Sequence, residues 1–160
     1  LYRAAQKRPP KTPRKLFNYY KAALIEELGR KALDDVTINR IGSREFGSAW
    51  AGCHPIDRVK FKPNTYQIIN TDPHSKPGEH WLGLFQTRTK AYVFDSYGRS
   101  IPRLVSHLIS TIKNKGLSLG ATNSDPHMEQ IGFSSEVCGH YSLAFLLVVR
   151  DLGIKKGSVI

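Results

Sequence analysis

The stretch "HWLGLFQTRTKAYVFDSY", residues 80–97, reads as two short β-strands folded back on each other. "HWLGLFQT" (80–87) and "AYVFDSY" (91–97) carry the aromatic and branched residues that suit a half-buried pleated surface. The intervening "RTK" (88–90) is short enough to predict an antiparallel hairpin. In such a hairpin the start of the first strand lies beside the end of the second. His80 and Asp95 are therefore expected to meet, the carboxylate accepting from one imidazole nitrogen and fixing the tautomer. That pairing makes His80 a candidate general base.

Outward from the hairpin, "TYQIINTD" (65–72) predicts a further strand, and "DPHSKPGE" (72–79) a loop whose two prolines prevent its continuation. Upstream, Phe17, Tyr20, Leu24 and Leu28 recur at helical spacing within a helix expected from about Lys15 to Leu33. Asp34 and Asp35 open a second short segment with Ile38 and Ile41 facing inward. Downstream, Ile101, Leu104, Val105, Leu108 and Ile112 form one apolar face of a helix expected over 100–115, with Pro102 in its first turn. Residues 118–137 read mostly as loop with room for a short strand, and a buried helix is expected from Cys138 to about Asp151, stopped near Gly153. The order of elements predicts an α+β fold without internal repeats.

The length of 160 residues suits one domain with a real core, assigned to 15–160 behind a basic arm at 1–14. The formal net charge is +11, and residues 1–15 supply six Lys or Arg and no acid: Arg3, Lys7, Arg8, Lys11, Arg14 and Lys15. A basic, proline-containing arm of this kind is attracted to polyanions, which makes DNA a candidate partner and these six residues a candidate nucleic-acid contact. The longest apolar stretch, "YSLAFLLVV" (141–149), is too short to span a bilayer, so no membrane partner is expected. With only Cys53 and Cys138, a reducing intracellular compartment is expected. The chain opens on Leu1 and shows no charged-then-apolar leader, so it is expected to be a processed product or an excised domain, acting as a monomer.

A cysteine nucleophile needs a thiolate, a base, a group that orients the base, and donors for the developing oxyanion. Cys138 in "SSEVCGHY" lies directly before the last helix, where the positive end of the helix dipole lowers a thiol's pKa. Gly139 allows backbone to approach closely there, and Gln130, eight residues earlier, is an amide donor able to join the Cys138 N–H in an oxyanion hole. Taken singly, each residue has a plainer explanation: a small core thiol, a polar strand end, a turn-starting Asp, a core tryptophan. A zinc site from Cys53, His54, Cys138 and His140 matches common ligand spacings poorly, and no metal is expected.

Taken in order, "HWLGLF", "YVFDSYG" and "HMEQIGFSSEVCGHYSLAFLL" resemble the adenain-like and SUMO-specific cysteine proteases, which run His-Trp, Asp or Glu, Gln, then Cys-Gly at the start of a central helix. The resemblance covers roughly residues 45–150, including "WAGCHPID" (50–57), similar to the family's segment ahead of its first strand. The intervals of fifteen from His80 to Asp95 and eight from Gln130 to Cys138 differ slightly from the family's commonest spacings, differences that loops absorb. The resemblance implies a papain-like protease of the adenain/SUMO-protease type, with a central mixed sheet flanked by helices. It implies His80 as base, Asp95 as orienter, Gln130 as oxyanion donor and Cys138 as nucleophile. Trp81 would wall a narrow channel and, with Gly139, contact the substrate. The implied activity is cleavage after Gly-Gly or Gly-X without a cofactor. Compact size and basic charge lean towards the viral maturation branch, in which DNA and a short viral peptide can act as activators and the protein works in the host nucleus, cytoplasm or virion. The alternatives are a ubiquitin-like-protein isopeptidase using the same residues and a non-catalytic nucleic-acid-binding module.

Overall fold

A computed structural model describes residues 8–122 and 136–160. Helix α1 (Pro13–Leu28) starts on a proline, whose missing N–H costs nothing in a first turn. It begins two residues before the predicted start, so Arg14 belongs to the helix. It also ends five residues early. Gly29 takes φ 75°, a left-handed conformation that a side chain would resist, and its N–H closes the last turn on Ile25 O. Helix α2 (Asp35–Phe46) is capped by Asp34, whose carboxylate accepts from Thr37 N at 2.7 Å.

Five strands make one mixed sheet in chain order: β1 (Trp50–Pro55), β2 (Thr65–Asn70), β3 (Trp81–Gln86), β4 (Lys90–Phe94) and β5 (Ser118–Gly120). The central pairs β2–β3 and β3–β4 are antiparallel, whereas the outer pairs β1–β2 and β4–β5 are parallel. The hairpin pairs Gly83 with Phe94 and Gln86 with Ala91, in the sense expected from its three-residue connection. Sequence patterning did not predict β1. Its six residues are all half-buried, so no alternation marks it, and it contains Gly52 and Pro55. Its register with β2 shifts between Trp50 and Gly52, an irregularity suited to a sheet edge.

The sheet is covered on both faces. On one, Ile69, Leu82, Leu84, Ala91 and Val93 pack with Val105, Leu108 and Ile112. The helix expected over 100–115 is in fact two pieces, α3 (Ile101–Leu104) and α4 (Ser106–Asn114). Val105 between them adopts φ −139° and ψ 59°, and its carbonyl accepts from Leu108 N and Ile109 N, so the chain re-starts a helix with this residue buried. On the other face, Ile68, Phe85 and Phe94 join α1, α2 and α5 (Cys138–Leu152). The Phe94 and Phe145 rings stack at 4.7 Å, and Phe17 meets Phe94 edge-on at 5.8 Å. Short α6 (Ile154–Gly157) follows α5.

Helix α5 is buried nearly all round, as its apolar sequence predicts. Its approach to β3 is close: a Cβ on Gly83 would stand 3.2 Å from Ser142 O, and Ser142 Oγ donates to Trp81 O at 3.2 Å. This contact fixes the N-terminal turn of α5 against the first residues of β3. No helix among the described residues is long and apolar enough to cross a membrane.

Candidate active site

His80 lies one residue before β3 and Asp95 one residue after β4, so the hairpin delivers both to the same end of the sheet. His80 Nε2 meets Asp95 Oδ1 at 2.6 Å, with the carboxylate wholly buried and the imidazole nearly so. Cys138 is the first residue of α5, and its thiol lies close enough to the His80 side chain for each to shift the other's pKa. With Nε2 committed to Asp95, Nδ1 is the nitrogen left to face sulfur. Thiol, imidazole and carboxylate thus form a continuous chain across one end of the molecule.

The electrostatics follow from that chain. Burial alone would push the Cys138 thiol up. The hydrogen bond from His80, the N–H groups of Trp81 and Gly139 and the charge on His80 outweigh it, and the thiol's pKa falls below its ordinary value. Burial likewise pulls His80 down, but hydrogen bonds to Asp95 and Cys138, with their charges, raise it to about 9. Burial opposes ionisation of Asp95, yet His80 and Arg99 hold it at about 2. Each shift runs towards the ionised form: thiolate at Cys138, imidazolium at His80 and carboxylate at Asp95. Val137 supplies no side-chain cap to α5 and the first turn carries no acid, so the helix terminus adds its positive end.

Four features surround this chain. Asn70 Oδ1 accepts from Asp72 N at 2.9 Å and Glu79 N at 3.1 Å, while Thr71 N donates to His80 O, drawing the 71–80 loop closed behind the imidazole. Trp81 Nε1 donates to Leu33 O at 2.9 Å, and His140 Nε2 meets Gly29 O at 2.7 Å. Those two bonds tie the 29–34 segment, which follows the end of α1 at Leu28, to the starts of β3 and α5. Gly139 is closely packed: a Cβ there would lie 3.2 Å from Leu33 Cδ1 and 3.3 Å from Trp81 Cδ1, so one of them would have to shift by a few tenths of an ångström. Finally, Tyr97 rests against the imidazole with ring centroids 5.1 Å apart.

Cys138, His80, Trp81, Tyr97 and Arg99 open onto a groove of about 1070 Å³ whose other walls include the 32–35 segment, Cys53 and the 70–79 loop. Of the residues singled out in the sequence, the structure brings His80, Asp95, Cys138, Trp81 and Gly139 together. Gln130, Arg3 and Lys7 lie outside the described residues. Arg8 and Lys11 are exposed and border a shallow depression beside Asp151 and Leu152, at the far end of α5. At 1.5 Å per helical residue that is roughly 20 Å from Cys138. Arg14 lies over the Phe17 ring, and Lys15 is exposed. His54 is engaged by Ala51 O at 2.7 Å and His140 by Gly29 O, and no group of three potential metal ligands occurs among the described residues.

Arg99 and Asn70 were not singled out in the sequence. Arg99 follows Asp95 by four residues in "DSYGR", a turn signal with nothing to distinguish its arginine from a solvated one. Asn70 ends a strand, where polar residues are commonplace. No family model matches the chain, and no curated protein matches it.

Proposed function

We propose that the protein is a papain-like cysteine endopeptidase of the adenain/SUMO-protease type, cutting after small residues of the Gly-Gly or Gly-X kind. The observation that carries this reading is the uninterrupted series Cys138–His80–Asp95, with the thiol's pKa lowered at the start of a buried helix and facing a groove. Cys138 attacks the scissile carbonyl as thiolate, and the oxyanion is received by the Cys138 N–H together with Gln130, assigned by its order in the sequence. His80, protonated in the resting pair, donates to the leaving amine, and the acyl-enzyme is then hydrolysed by water that His80 activates. Asp95 keeps the imidazole oriented throughout. Trp81 walls the groove beside the nucleophile, and the chemistry asks for no metal or organic cofactor.

The natural substrate is proposed to be a viral structural precursor, with DNA bound through the basic arm and a viral peptide as candidate activators. An isopeptidase acting on ubiquitin-like conjugates would use the same residues. Incubation with a peptide vinyl sulfone ending in Gly-Gly should modify Cys138, located by mass spectrometry, and Cys138→Ala should abolish both labelling and cleavage. Absence of an adduct at Cys138 in a folded protein would overturn the proposal. Reaction with a ubiquitin-like probe in preference to the short peptide would favour the isopeptidase. DNA affinity that falls as salt rises, and that is lost on removing residues 1–15, would support the arm's role; DNA binding without thiol reactivity would favour the non-catalytic module.

A further inference from the structure

We propose that Arg99 is a positioning residue of this site, one that holds the Asp95 carboxylate and clamps Tyr97 against His80, so setting the pH range over which the base works. The inference rests on the peptidase reading above and goes beyond it, because nothing in the ordered His, Asp, Gln and Cys requires an arginine here.

The geometry is specific. Asp95 Oδ2 accepts from Arg99 Nε at 2.9 Å and from Arg99 N at 3.1 Å, while Oδ1 accepts from His80 Nε2 at 2.6 Å and Tyr97 N at 3.2 Å. One residue thus engages the oxygen that His80 leaves, through its backbone and its side chain together. The turn that permits this closes with Gly98 N on Asp95 O at 2.9 Å, Gly98 taking φ 64°. The guanidinium also lies over the Tyr97 ring, 4.9 Å from its centroid, and Tyr97 in turn contacts His80. Arg99 therefore reaches the imidazole by two routes, one through the carboxylate and one through the ring.

The physical need is a counter-charge that does not titrate. Asp95 is wholly buried, and an ionised carboxylate there is costly without a partner. His80 supplies that partner only while it is protonated, and in the catalytic cycle it gives the proton away. Arg99 stays charged at every step. Its cation also opposes the cation on His80, limiting how far the carboxylate and thiolate raise the imidazole. Among the described residues, the titratable groups that touch His80 are Asp95, Tyr97 and Cys138, with Arg99 behind the carboxylate; Glu79, Glu136, Asp34, Asp35, Asp72, Arg58, Lys76, His54 and His74 line the same groove. Among the described residues, Arg99 and His80 are the basic side chains seen in contact with the carboxylate. Its side chain is 44% exposed, so replacing it removes little packing.

The test is the pH dependence of Cys138 labelling and of peptide cleavage in Arg99→Gln and Arg99→Lys, beside the wild type. Arg99→Gln removes the charge, so the alkaline limb of kcat/KM should move up by roughly half a pH unit or more. Its maximum should fall on the order of 10- to 100-fold, the range seen when a group that orients a working side chain is lost, with the loss in kcat rather than KM. Arg99→Lys keeps the charge without the planar fork, so its limb should stay near the wild-type position while the maximum recovers only in part. A limb unmoved in Arg99→Gln, in a variant as stable as wild type, would overturn the positioning role. Failure of the wild type itself to label at Cys138 would instead overturn the peptidase reading.

Discussion

Two thiols border the same groove and are driven in opposite directions. Burial pushes both up, and on Cys53 nothing answers it: Asp35 adds a negative charge, and the thiol rises to about 12. On Cys138 the His80 side chain, two backbone N–H groups and a helix terminus all favour the anion, and the pKa falls. Depth in the protein is therefore not what sets the direction of a thiol's pKa here. What differs is the sign of the field that the neighbouring elements bring to it.

The most severe way to break this contrast is to remove the sulfur. Cys138→Ala should reduce cleavage by at least about 10⁴-fold, whereas Cys53→Ala should leave vinyl sulfone labelling at Cys138 intact, both read by intact-mass spectrometry. Next in size is Asp95→Asn, which keeps the shape but takes away the charge that steadies the imidazolium. It should cost about 10³- to 10⁴-fold in kcat, and the alkaline limb near about 9 should move down towards the ordinary histidine value. The same charges predict the pH window of stability. Folded His80 holds its proton more tightly than the unfolded chain does, so its contribution is whole below about 6.5 and is lost as pH rises through about 9. Asp95 behaves inversely: its contribution is present above the ordinary carboxylate value and is lost as pH falls through about 2. Thermal melts should therefore decline at both extremes, and Asp95→Asn should flatten the acid side.

A smaller effect tests the packing that holds the reactive thiol in place. Gly139→Ala forces Leu33 or Trp81 to yield by a few tenths of an ångström, so it should destabilise by about 1–3 kcal/mol and slow labelling of Cys138. Smallest of all, Asp35→Asn in a Cys138→Ala background should raise the alkylation rate of Cys53 a few-fold at alkaline pH, since burial, which remains, is the larger cause of its high pKa. If that substitution made Cys53 as reactive as Cys138, the contrast would have to be charge at Asp35 alone.

The residues that define the contrast were unequally visible in the sequence. His80 and Asp95 could be paired in advance because a three-residue connection leaves an antiparallel hairpin few registers, and Cys138 because an apolar helix begins at it. Strand β1, which carries Cys53, was hidden by its even, intermediate burial. The break at Val105 was hidden because apolar spacing runs straight through it. The capture of Leu33 by Trp81 and of Gly29 by His140 spans 48 and 111 positions of chain, beyond any local pattern.

Periodicity, turn chemistry and the order of a few polar residues determined from the chain alone that a hairpin would bring an imidazole to a carboxylate and that a helix would start on a thiol. These are local matters, settled by steric limits on a few neighbouring residues. How strongly each thiol's pKa would be shifted, how far the imidazole would be raised, and that Arg99 would contact the carboxylate were decided only in three dimensions. Each depends on fields and contacts from elements far apart in sequence, whose strength is set by angstroms of approach and by the water that packing removes.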